Sequence, residues 1–132
     1  MPIKNNNYET VNYLETDDNP QYSLVIKSKD HRRQILTENK IVCIDLHADW
    51  CQPCKSVAPD YNKLAKQYNI PGKCMLVKEN VELNLTTDCN ITSIPTFIFY
   101  MNGQLLKDEN QSDVKVIGGD INKVKNILDT LL

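Results

Sequence analysis

An α/β fold built on a central mixed sheet of four to five strands, flanked by about four helices, follows from three features of the chain. Two β-favouring apolar runs, 41–47 and 96–100, are each separated from the next by amphipathic helical stretches, 55–68 and the C-terminal segment from Ile121. Asn102-Gly103 directly follows the second run and is a hairpin signal, which sets that strand antiparallel to a later one. Trp50-Cys51-Gln52-Pro53-Cys54-Lys55 lies where a buried strand passes into a helix. There a Cys-x-x-Cys pair can cycle between dithiol and disulfide.

The elements are expected in the following order. Residues 1–20 are Asn-rich and acidic, end at Asn19-Pro20 and show no sustained period, so they read as an extension with little fixed structure ahead of one domain, 21–132. A first strand is expected over 23–27 and a short helix over 30–38, with Ile35 and Leu36 inward. A buried strand follows over 41–47. Beyond Cys54, the residues Val57, Ala58, Tyr61, Leu64, Ala65 and Tyr68 fall close to one helical face; Pro59 is expected to kink that helix and Pro71-Gly72 to close it. Next come a strand over 74–77, a short helix near 85–89 and the most β-favouring strand, 96–100. Its partner is expected over 114–117, after a charged loop, 107–113. Asp120 caps a final helix whose inward face is Ile121, Val124, Ile127, Leu128 and Leu131.

Length and composition narrow the function. A chain of 132 residues makes one domain able to bury roughly two-thirds of its unfolded surface without a disulfide staple. The formal net charge of -2 leaves no basic stripe, so nucleic acid is not an expected partner. The first thirteen residues lack the apolar core of a signal peptide, and no stretch approaches membrane-spanning length. An intracellular, cytoplasmic protein with no membrane partner is therefore expected. Five cysteines cannot all pair within one chain, which suits a reducing compartment. Thirteen Lys against two Arg, with 15 Asn, hint at an AT-rich coding genome such as that of a microbe or large DNA virus. For a viral chain the place would be the host cytoplasm or the virion.

A helix N-terminus presents unpaired N–H groups and a partial positive charge, and both favour a thiolate at Cys51. Cys54, one turn inside, is placed to attack a mixed disulfide on Cys51. Pro53 lacks an N–H where the first helical turn does not need one, and it stiffens the loop. Two inert cysteines three apart are the plainer reading, and the strand-to-helix setting disfavours it. Asp45, within an apolar strand, should have its pKa raised by burial and can take the proton that Cys54 must lose. The alternative is an Asp facing solvent from a strand edge. Lys78, on the next strand, is placed either to pair with Asp45 or to be exposed. Ile94-Pro95-Thr96 enters the most β-favouring run, a usual place for a cis peptide bond, although most X-Pro bonds are trans. A bend there would let the main chain of Ile94 and Thr96 bond an extended substrate segment.

With these residues in order, the chain resembles the thioredoxin family over about 22–132. The likeness rests on Asp45 six residues before Cys51, on Ala48, and on Trp50-Cys51-x-Pro53-Cys54-Lys55. It continues through Pro59, Ile94-Pro95-Thr96, Asn102-Gly103 and Gly118-Gly119. The resemblance implies the thioredoxin fold, with Cys51 as attacking thiol, Cys54 as resolving thiol, Asp45 as buried acid–base group and Pro95 as a cis-proline facing the disulfide. Trp50, Thr92, Ser93, Ile94 and Gly118 would border a shallow apolar groove for protein substrates, with Gln52, Pro53 and Thr96 beside them. Three departures stand out. Gln52 replaces the usual glycine, which bears on the potential, since roughly 30 mV is a tenfold change in exchange equilibrium. His47 stands where an aromatic or small residue is usual, and a solvated strand-end histidine is expected ahead of a proton shuttle. The extension and the 107–113 loop are additions suited to a dedicated partner.

The expected activity is that of a protein thiol–disulfide oxidoreductase reducing disulfides in partner proteins, recharged by a separate reductase, with neither cofactor nor metal. A monomer is expected ahead of a dimer. The alternative is a partner-specific binding module of the same fold with little general reductase activity. Zinc would normally take two close ligand pairs, and the sequence offers one. Cys43 and Cys74 read as small core residues, and Cys89 as the candidate exposed regulatory or dimer-forming thiol.

Overall fold

A computed structural model describes residues 20–132, so the expectation for the extension lies outside the described residues except at Pro20. Six strands and three α-helices follow one another. They are β1 (Leu24–Val25), α1 (Lys29–Glu38), β2 (Ile41–His47), α2 (Gln52–Tyr68), β3 (Cys74–Asn80), β4 (Thr96–Met101), β5 (Gln104–Leu105), β6 (Lys115–Ile117) and α3 (Ile121–Leu131). A 3-10 turn, Val81–Leu83, follows β3. The sheet order is β1-β3-β2-β4-β5, with β6 also on β4. β1, β3 and β2 are parallel, while β4 runs antiparallel to β2 and to both β5 and β6.

β2 reads as an almost continuous apolar run because helices cover both faces of the sheet's centre. Its side chains alternate between two cores. Ile41 and Cys43 join Val57, Tyr61 and Leu64 of α2 and Val124 and Leu128 of α3. Val42, Ile44 and Leu46 join Ile35 of α1. By the same alternation Asp45 and His47 project from the α2 face. Tyr61 is fully buried between α2 and the sheet, with its hydroxyl 2.8 Å from the Val77 carbonyl and 3.1 Å from that of Cys43. Tyr61→Phe strips these carbonyls of that donor, and a loss of about 1–2 kcal/mol is expected in urea unfolding. An unchanged midpoint would show that the bond contributes nothing net.

The sequence placed most elements correctly and a few wrongly. The sheet has six strands where four to five were expected, two of them only two residues long. Asn102 and Gly103 both have positive φ, 53° and 81°, as a two-residue hairpin turn demands. They return the chain at once to β5, and the expected partner β6 pairs with the other end of β4. No helix forms at 85–89. Asn84 turns left-handed at φ 54° and ends the 3-10 turn, and the polar side chains beyond it are bound elsewhere. The Thr86 hydroxyl donates to Glu79 at 2.7 Å, and the Tyr100 hydroxyl donates to Asp88 at 2.8 Å. Arg32 of α1 donates to Glu79, Thr86 and Tyr100 at 2.9, 3.1 and 2.7 Å. This network holds the segment extended against the sheet and α1. α2 passes through Pro59 as one 17-residue helix.

Candidate active site

Cys51 is the N-cap of α2, and Pro53 lies in its first turn, where a missing N–H costs nothing. Cys51 and Cys54 form a disulfide, with Cα atoms 5.3 Å apart. The Cys54 N–H donates to Cys51 Sγ at 3.2 Å, a bond that favours negative charge on that sulfur once it is released. The two cysteines are not equivalent. Cys51 Sγ lies 3.8 Å from the Ile94 carbonyl oxygen, at the end of the loop that enters β4. Cys54 is as buried as Cys51 and lines a different, open pocket of about 270 Å³ with His47, Ala48, Lys55 and Lys78.

The Ile94–Pro95 peptide bond is cis, which brings Ile94 beside Cys51. Pro95 is itself buried, and its carbonyl accepts from the Gly118 N–H at 2.8 Å. Gly118 has φ 93°, which a side chain would strain, and a Cβ there would meet nothing within 4 Å. The backbone beside the cis-proline is thus held in place while its outer face stays open. Trp50 is 68% exposed, yet its indole N–H donates to Glu82 of the 3-10 turn at 2.9 Å, which fixes the ring. Behind it a cavity of about 500 Å³ is lined by Trp50, Cys89, Thr92, Ser93 and Ile94, among others. Gln52 and Pro53 are exposed at the helix start. Thr96 is 2% exposed and its hydroxyl folds onto the Ser93 carbonyl at 2.7 Å, so it belongs to the sheet behind this surface.

Asp45 is fully buried, and neither carboxylate oxygen has a hydrogen-bond partner among the described residues. Burial raises its pKa to about 7, and the opposing pull of Lys78 is the smaller effect. Lys78 stands opposite Asp45 in the β2–β3 register without closing an ion pair. His47 is only half-exposed, and its Nε2 is enclosed without a partner among the described residues, which corrects the expected solvated histidine. Burial, then Lys78, lowers its pKa, against the smaller effects of Asp49 and Glu79.

Cys89 corrects another expectation. It is 8% exposed and its Sγ lies 3.5 Å from an Asp113 carboxylate oxygen; burial first, then that carboxylate, raises its pKa. Cys43 and Cys74 are fully buried, and burial raises both, Cys74 to about 11. A brief iodoacetamide pulse on the reduced, folded protein should therefore label Cys51 first and leave these three untouched until unfolding, as intact mass will show. Labelling of Cys89 as fast as Cys51 would contradict the raised pKa of its thiol. Glu82 and the bonds of Arg32 to Glu79 and Thr86 escaped the sequence reading, because these partners lie 32 to 54 residues apart with no local pattern linking them.

Known proteins resemble this chain in sequence and in fold. The thioredoxin family model matches residues 22–123. Thioredoxin-T of Drosophila melanogaster is 41% identical over 86 residues, which are 62% of this chain and 54% of that protein. A thioredoxin of Neurospora crassa is 31% identical over 102 residues, 76% of this chain and 79% of its own length. The solved structure of Plasmodium falciparum thioredoxin superposes with a TM-score of 0.69 at 28% identity, covering 83% of this chain and 99% of that one. Dithiol, buried acid and cis-proline, on a sheet of this topology and under a family model spanning most of the chain, place it in one group: the chain belongs to the thioredoxin family.

Proposed function

We propose that this protein reduces disulfides in partner proteins through Cys51 and Cys54. The observation that carries the reading is the asymmetry of the pair: Cys51 lies beside the Ile94 backbone, while Cys54 lines a separate open pocket with His47 and Lys78. The Cys51 thiolate attacks one sulfur of a substrate disulfide, forming a mixed disulfide and expelling the other substrate sulfur as thiolate. Cys54 gives its proton to Asp45 and attacks Cys51 Sγ. That closes the Cys51–Cys54 disulfide and releases the second substrate thiolate, so two electrons have passed to the substrate. A separate reductase returns them. A carboxyl titrating near 7 is suited to accepting and releasing that proton at neutral pH.

The substrate is read as an extended segment lying across Trp50, Ile94 and Gly118. In support, the cis bond brings the Ile94 backbone beside Cys51, where it can pair with such a segment. Three unpaired buried thiols and a working dithiol suit a reducing compartment such as the cytoplasm. No described helix is long and apolar enough to cross a membrane. Equilibrating the pair with dithiol redox buffers and following Trp50 fluorescence tests the direction of flux. A potential near the family's reference value of about -270 mV supports reduction, and one near -120 mV, in the range of strong oxidants, would overturn it.

A further inference from the structure

One flank of α2 carries a groove of about 620 Å³ lined by Lys55, Lys63 and Lys66 of α2 and Lys78 of β3, together with Tyr22 and Pro59. Among the described residues no carboxylate lines it, although the whole chain has a formal net charge of -2. Asp60 is exposed on the same helix but outside the lining, and Asp49 lines the neighbouring pocket. None of the four lysines closes an ion pair among the described residues. The wall opposite α2 is fixed in place. Asn62 accepts from the Tyr22 and Ser23 N–H groups at 2.7 and 3.1 Å and donates to the Pro20 carbonyl at 3.0 Å. The Lys66 ammonium lies 5.6 Å from the centre of the Tyr22 ring, which orients one of the cations. Four like charges along one concave surface focus a positive potential there and attract anions.

The groove leads to the redox pair, because Lys55, Ala58 and Lys78 also line the pocket that Cys54 lines. At 1.5 Å per residue along the helix, Lys55 to Lys66 stand about 6 to 22 Å beyond Cys51. A small anion meets one or two of these charges. An extended chain rising about 3.3 Å per residue passes all of them with the residues roughly two to seven places from a cysteine held at Cys51. We propose that this lysine groove binds an acidic stretch of the partner protein, close in sequence to the cysteine that Cys51 attacks. The inference rests on the thiol–disulfide reading above and names its substrate class: disulfides flanked by Asp and Glu. Each exposed pair contributes little, so the preference comes from several lysines acting on one segment.

The test uses two synthetic disulfide-linked peptide dimers that differ only in the residues on both sides of the cysteine, a run of glutamate in one and of glutamine in the other. Their second-order rates of reduction by the reduced protein are followed by Trp50 fluorescence. Wild type should reduce the glutamate peptide about tenfold faster at about 20 mM ionic strength, and the preference should vanish near 1 M, where screening acts over about 3 Å. Lys63→Gln/Lys66→Gln should lose most of it. Lys29→Gln/Arg33→Gln makes the same change of charge on α1, across the sheet from α2, and should keep it. All four side chains are exposed, and a ratio of two rates on one protein does not depend on the fraction folded. Equal rates on both peptides with wild type would overturn the groove, as would a preference that survives Lys63→Gln/Lys66→Gln. Equal loss in both double variants would also overturn it, leaving net charge as the cause. Failure of wild type to reduce either peptide would instead overturn the thiol–disulfide reading, and this inference with it.

Discussion

Cys54→Ser protein is expected to stop after one half-reaction, with its substrate held on Cys51 as a mixed disulfide and turnover reduced by at least about 10³-fold. The loss is large because the two sulfurs act as a unit: without the resolving thiol, only slow attack by external thiol frees the substrate. Cys51 keeps its N-cap position, the Cys54-position N–H and its place beside Ile94 in this variant, so the first attack survives. Mass spectrometry should show the protein carrying one substrate chain, removable by dithiothreitol. Turnover within tenfold of wild type would remove Cys54 from the resolving role.

Asp45→Asn should remove the fall in stability that burial of this carboxyl imposes on the wild type as pH rises. Burial holds the folded-state pKa at about 7, above the ordinary value of 3.8. Between about pH 4 and 7 the folded protein therefore keeps a proton that the unfolded chain has released. Wild-type stability accordingly falls as pH rises through this window and levels off above it, by an amount on the order of 4 kcal/mol. Asparagine has the shape of the neutral acid and no charge to bury. Urea unfolding of the oxidised proteins at pH 4 and pH 8 should show the advantage of the variant growing by that order between the two. The same variant should resolve mixed disulfides more slowly, so a charge costly to the fold is retained at the place where a proton acceptor is used. Parallel pH profiles for the two proteins would mean that Asp45 titrates as an ordinary exposed carboxyl.

What the sequence revealed and what it hid have physical reasons. β2 and α2 were legible because their burial is periodic and local, and the dithiol because Cys51 and Cys54 are fixed by one helical turn. The turn at Asn102-Gly103 was legible from the positive φ it needs, but its immediate partner, β5, is only two residues long and leaves no pattern. The 85–89 segment misled because local composition cannot show that Thr86 and Asp88 are bound to Glu79 and Tyr100. Cys89 and His47 misled for a related reason. Their burial is imposed by Asp113 and by the closing of α2 over the strand end, contacts made across the fold. The cis bond at Pro95 was expected from the resemblance, since the residues alone favoured trans.

The central claim is that Cys51 carries electrons from a reductant to protein disulfides. Its most direct test is the rate of insulin reduction by dithiothreitol with wild-type protein and with Cys51→Ser. The account predicts marked acceleration by the wild type and none above background by the variant. A folded wild type that gives no acceleration, or a variant that accelerates equally, would contradict it.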